Sequence, residues 1–104
     1  MTAIIGRLDI QEFREKLDSS NYTLLDVRTA QEQLIFWKIS EKQIHIDVYK
    51  ADAIEHIQKL PREGKYLIYC YHGNRSQQVL SLMQELAFQE VYDLVWGIDM
   101  WNKS

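Results

Sequence analysis

The residue types that staple, break or redirect a chain are scarce here: one cysteine, one proline and four glycines among 104 residues. A single cysteine excludes an intramolecular disulfide and leaves too few thiols for a zinc-thiolate site. It fits a reducing, cytoplasmic compartment. The three histidines are scattered, so no metal ligand set is expected, and nothing calls for a cofactor. With no linker, repeat or low-complexity tract, one domain over residues 1–104 is expected. No apolar run approaches the roughly 20 residues of a membrane helix. Met1-Thr2-Ala3-Ile4-Ile5-Gly6 lacks a basic segment ahead of a long apolar one, so no signal peptide is expected. Positive charge is also short: 12 Lys and Arg against 15 Asp and Glu, a net charge of -3, which argues against nucleic-acid binding.

What is present is the composition of an ordinary soluble domain, 46% hydrophobic and 26% charged, enough for one compact core. Strand-like and helix-like stretches alternate, which predicts an α/β layout with a mainly parallel sheet. Asp9 and Glu12 have capping-box spacing, with Leu8 and Phe13 placed to staple across it; Phe13 and Leu17 then share a helix face that ends at Ser19-Ser20-Asn21. Residues 22–27 read as a buried strand. Thr29 and Glu32 repeat the capping box and predict a short helix; residues 33–43 read as a loop anchored by Leu34-Ile35-Phe36-Trp37. Residues 44–48 alternate as a strand, with His45 on its polar side. A helical stripe over 53–60 stops at Pro61, and Arg62-Glu63-Gly64 turns the chain. His56 reads as a solvated position on that helix. Tyr66 to Tyr69 is a buried strand, Ser76 to Ala87 an amphipathic helix, Val91 to Val95 a last strand, and 97–101 a closing turn or helix. Trp101 is expected in the core, Trp37 at a rim or partner surface.

Between the third of these strands and the long helix lies Cys70-Tyr71-His72-Gly73-Asn74-Arg75-Ser76. Ligands of open α/β sheets gather at the carboxyl ends of strands. A helix starting near Ser76 aims its free N–H groups back at this loop. Successive loop amides can form an anion nest, Gly73 permits a tight turn, and Arg75 supplies a permanent cation. All three favour thiolate over thiol, and thiolate is the competent nucleophile. On the residues alone, an inert buried cysteine and a reactive one remain even alternatives. His72 reads as a loop residue that either assists proton transfer or faces solvent.

The loop resembles the Cys-x-x-Gly-x-Arg-Ser loop of the rhodanese family of sulfurtransferases. Leu24-Leu25-Asp26-Val27-Arg28 is similar to that family's Leu-Asp-Val-Arg strand end, and Gly97-Ile98-Asp99-Met100-Trp101 to its closing Gly-x-x-x-Trp. The three stretches stand in family order across nearly the whole chain. The resemblance implies a three-layer α/β/α domain with a five-stranded, mostly parallel sheet. It implies that Cys70 takes a sulfane sulfur from a small donor anion such as thiosulfate, or from a persulfide, and passes it to a thiol, to cyanide or to an acceptor protein. Tyr71, His72, Gly73, Asn74, Arg75 and Ser76 would surround the sulfur through their amides. Asp26 and Arg28 fall where the family places polar residues near its site; read on their own they form a strand-end ion pair or cap.

Four residues separate Cys70 from Arg75. Phosphatases and arsenate reductases of similar fold carry one more, which suits a tetrahedral phosphate, so the spacing favours sulfur transfer. The sequence departs from the family where Phe36 to Gln43 replaces a Gly-His-Ile-Pro-Gly-Ala stretch, and at Trp96, where a glycine is usual. Those departures keep a non-catalytic interaction module as the alternative reading, with a phosphatase or arsenate reductase behind it.

Overall fold

Strand and helix alternate from one end of the chain to the other in a computed structural model that describes residues 3–104. Met1 and Thr2, the first residues of the stretch read above for a leader, lie outside the described residues. The elements are β1 (Ile4–Leu8), α1 (Ile10–Asp18), β2 (Thr23–Asp26), α2 (Ala30–Phe36), β3 (Ile44–His45), α3 (Ala53–Gln58), β4 (Lys65–Tyr69), α4 (Asn74–Glu85), β5 (Glu90–Leu94) and α5 (Gly97–Lys103).

The five strands form one sheet in the order β1-β5-β4-β2-β3, and every pairing is parallel. Parallel strands are buried on both faces and read as continuous apolar runs, which is how β4 reads in sequence. Side-chain alternation then divides each run between two cores. Leu25, Tyr66, Ile68 and Val91 face α3 and α4, where Ile57, Val79 and Met83 pack. Leu24, Leu67, Tyr69 and Tyr92 face α1 and α5, where Phe13 and Ile98 pack. The result is the expected three-layer α/β/α arrangement. None of the described helices is long and apolar enough to cross a membrane.

Both capping boxes form. Asp9 accepts from the Glu12 amide at 2.9 Å, and Thr29 from the Glu32 amide at 3.2 Å, with each glutamate returning a bond to its cap. The second box starts a helix that runs to Phe36, so residues 33–36 are helical and not loop; the loop begins at Trp37. Of the expected hydrophobic anchor, Phe36 packs against the core, whereas Leu34, Ile35 and Trp37 stand exposed. The strand expected over 44–48 shrinks to Ile44–His45, because only Leu25 and Asp26 of β2 are there to pair with it. Trp101 is half-buried, edge-on to Phe13 and beneath the Arg14 guanidinium.

β1 has no counterpart in the sequence reading. Its five residues include Gly6 and Arg7, and its exposure pattern lacks the alternation that marks a strand. Pairing with β5 makes it one: Ile5 lies beside Val91 and Arg7 beside Asp93.

Candidate active site

Cys70 is the first residue beyond β4, the central strand of the sheet. Alternation along β4 turns its side chain toward α4, in the same core as Ile68 and Val79. The residue is only 1% exposed. Burial alone would suit an inert thiol; its hydrogen-bond partners argue otherwise. Sγ accepts from the Gly73 amide at 3.1 Å and from the Ser76 amide at 3.4 Å, and lies 3.5 Å from Ser76 Oγ.

These contacts depend on where α4 starts. The helix begins at Asn74, two residues before the expected start, with Gly73 as its cap residue. Ser76 therefore stands in the first turn, where an amide has no intrahelical acceptor and is free to serve Sγ. Gly73 holds φ +95°; a Cβ there would run into the Val95 carbonyl, whose carbon would be 2.8 Å away. That backbone twist turns the Gly73 N–H toward the sulfur. The amides of Tyr71, His72, Asn74 and Arg75 meet no protein acceptor among the described residues. Two of the six loop amides thus hold Sγ and four are left for a bound anion. The side chain of Asn74 is exposed.

Arg75 departs from expectation. Its guanidinium is clasped bidentately by Glu32, at 2.6 and 2.7 Å, and lies over the Tyr49 ring at 5.4 Å. It makes no hydrogen bond to Sγ. The second capping box presets this pair, because the Glu32 oxygen that faces Arg75 also accepts from Thr29. Hydrogen bonding from Arg75 outweighs burial and holds the Glu32 carboxyl at about 2.

His72 is exposed and stacked on Tyr71, with Nε2 3.0 Å from Asp99 Oδ2. Tyr71 in turn packs against Phe36. The loop rests on α5: the Ile98 amide donates to the Cys70 carbonyl at 2.9 Å and the Asp99 amide to the Tyr71 carbonyl at 3.1 Å. Gly97, at φ +66°, lets α5 approach this closely, since a Cβ there would stand 2.6 Å from the Cys70 carbonyl oxygen and nearer still to that of Tyr71.

Asp26 and Arg28 form a fully buried ion pair, Arg28 Nε to Oδ1 at 2.9 Å and Nη2 to Oδ2 at 2.8 Å. The tie extends outward. Asp26 also accepts from Gln33, Gln43 and the Tyr69 hydroxyl, and Arg28 donates to the Trp37 carbonyl at 2.7 Å. Burial raises the Asp26 pKa, but the bonds from Arg28 and Gln33 outweigh it and leave the carboxyl below its usual range. With both side chains sealed, the pair ties β2, α2, the 37–43 segment and β4 together behind the loop; neither touches the opening. His45 is exposed and meets the Arg28 carbonyl through Nε2 at 2.6 Å. His56, also exposed, pairs with Asp52.

Two further residues complete the site, and the sequence reading named neither. Ser76 Oγ donates to Asp93 Oδ2 at 2.7 Å, and Arg7 grips both Asp93 oxygens at 2.9 Å while also donating to the Gly73 carbonyl at 2.8 Å. Asp93 is fully buried. A chain of hydrogen bonds thus runs Cys70–Ser76–Asp93–Arg7. The signal was slight: Arg7 lies in an unforeseen strand, and its partner is 86 residues away.

A family model described as the rhodanese-like domain matches residues 9–104. The thiosulfate sulfurtransferase GlpE of Coxiella burnetii is 31% identical over 98 residues, covering 94% of this chain and 85% of that protein. A maize adenylyltransferase and sulfurtransferase, MOCS3-1, is 29% identical over 103 residues, which are 95% of this chain but 22% of the maize protein. Among solved structures, a rhodanese-related protein of Thermoplasma volcanium superposes with a TM-score of 0.79 at 26% identity, covering 94% of this chain and 91% of that one.

Proposed function

The chain belongs to the rhodanese-like domain family, whose curated relatives are sulfurtransferases, and on that footing we propose that residues 1–104 act as a single sulfurtransferase domain working through a Cys70 persulfide. The Cys70 thiolate attacks the outer sulfur of the donor, and the donor's S–S bond breaks as the new one forms. With thiosulfate the products are Cys70–S–S⁻ and sulfite. With a persulfide R–S–SH they are Cys70–S–SH and R–S⁻. A second nucleophile then removes the outer sulfur and restores the thiolate: cyanide leaves as thiocyanate, a thiol as its persulfide. Electrons balance at both steps, so no cofactor is required. A reducing, cytoplasmic setting suits a thiol that must stay reduced between cycles.

The observation that carries this reading is the seat of Sγ. Two amides at the start of α4 hold it, and four more loop amides have no protein acceptor. The outer sulfur of a persulfide stands about 2 Å beyond Sγ, and the four unpaired loop amides are the donors left to receive it. Four residues between Cys70 and Arg75, one fewer than in phosphatases of similar fold, support a sulfur atom over a phosphate as the loop's guest.

The test is intact mass after incubation with thiosulfate or an organic persulfide. Wild type gains one sulfur atom, cyanide removes it, and Cys70→Ser gains none. No gain in wild type, or an equal gain in Cys70→Ser, overturns the proposal.

A further inference from the structure

The cations around the loop are already committed. Arg75 is held by Glu32 in a bidentate pair, Arg7 by Asp93 in another, and Lys103 by Asp99. Arg28 is sealed with Asp26. On its outer side Arg75 borders a groove of about 250 Å³, lined chiefly by Val48, Tyr49, Ala53, Ile57, Val79 and Leu82. That groove presents no further cation to an incoming anion.

Resting on the persulfide reading above, we infer that Glu32 is a donor-specificity residue, which turns the site away from sulfonate-bearing donors such as thiosulfate and toward persulfides whose tail carries no charge. Thiosulfate brings two negative charges, with most of that charge on oxygens remote from the sulfur that is transferred. To pair those oxygens, Arg75 must leave two charge-assisted hydrogen bonds of 2.6 and 2.7 Å. The sulfonate would then sit beside a carboxylate that remains ionised at every working pH. A persulfide R–S–SH carries at most one negative charge, on the sulfur that the loop amides receive. The Glu32–Arg75 pair is not disturbed when it reacts.

Sequence chemistry makes the pair durable. Glu32 is fixed by its own capping box, and Arg75 by the first turn of α4. Glutamine at position 32 keeps the capping box, since it returns the same bond to the cap amide. It removes the charge that holds Arg75.

The experiment compares sulfur loading of Cys70 from thiosulfate and from 2-hydroxyethyl hydropersulfide, followed as kcat/KM in wild type and Glu32→Gln. In wild type the persulfide is the better donor by at least about tenfold, the factor for one charge-assisted bond. In Glu32→Gln the thiosulfate-to-persulfide ratio rises about tenfold. A wild type that prefers thiosulfate, or a ratio unchanged or lowered in Glu32→Gln, overturns the inference. A wild type that prefers thiosulfate is decisive even if the variant folds poorly; a wild type that prefers the persulfide leaves the assignment to Glu32→Gln, read at a temperature where urea unfolding shows that variant folded. Failure of the underlying reading looks different: wild-type Cys70 loads from neither donor.

Discussion

Gly97→Ala is the most demanding perturbation of the site, because it changes one methyl group outside the catalytic loop. The added Cβ would fall on the Tyr71 carbonyl and 2.6 Å from that of Cys70, both of them backbone. Backbone cannot swing aside as a long side chain can, so α5 and the loop must separate. A left-handed alanine costs roughly 1–2 kcal/mol. Separation also loses the bonds from Ile98 to Cys70 and from Asp99 to Tyr71, each about 1 kcal/mol net. The sum, about 3–4 kcal/mol, is a large share of the 5–15 kcal/mol typical of a domain. At about 4–8 °C per kcal/mol, the melting temperature falls by more than about 10 °C. The assay is urea unfolding at constant m-value, paired with the rate of sulfur loading on Cys70. Gly6→Ala is the control: its Cβ would meet the Tyr92 ring at 3.5 Å, an ordinary contact, and its cost stays below about 1 kcal/mol. Loading slows in Gly97→Ala even at temperatures where the variant is fully folded. A loss of stability under about 1 kcal/mol together with wild-type loading would refute the buttress argument.

Asp93→Asn removes a negative charge one hydroxyl away from Sγ and leaves Arg7 uncompensated, so Cys70 is expected to react several-fold faster with iodoacetamide at neutral pH; an unchanged rate shows that the charge is not felt at the sulfur. Acid should weaken the fold through Glu32. Its carboxyl sits at about 2 when folded against an ordinary 4.5, so its contribution is complete above 4.5 and disappears as pH falls toward 2. Urea midpoints taken at successive pH should drop more steeply across that window in wild type than in Glu32→Gln, and equal slopes would contradict the assignment.

Local chemistry was the most legible part of the chain. Asp9 with Glu12, and Thr29 with Glu32, announce helix starts because a capping box is written in four consecutive residues. β4 is recognisable because a central parallel strand must be apolar on both faces. β1 was not, since nothing within Ile4–Leu8 makes it a strand except β5 alongside it. The same limit governs the site. The loop amides and Gly73 follow from a short motif, but the partners of its charged groups come from distant elements. Arg75 read as a free cation until α2 brought Glu32 to it, and Asp93 carried no mark until Arg7 and Ser76 surrounded it. The early end of β3 likewise reflects how little of β2 remains to pair, which Ile44-His45-Ile46-Asp47-Val48 does not itself disclose.

The thread from Arg7 to Asp93 to Ser76 joins the first strand to the last across 86 residues of separation. Cys70 comes before β5 and α5 in the chain, so the loop that holds the sulfur is contributed by one part of the sequence and its carboxylate neighbour and the helix behind it by another. A protein truncated before β5 keeps the cysteine but loses the setting that makes it an instrument.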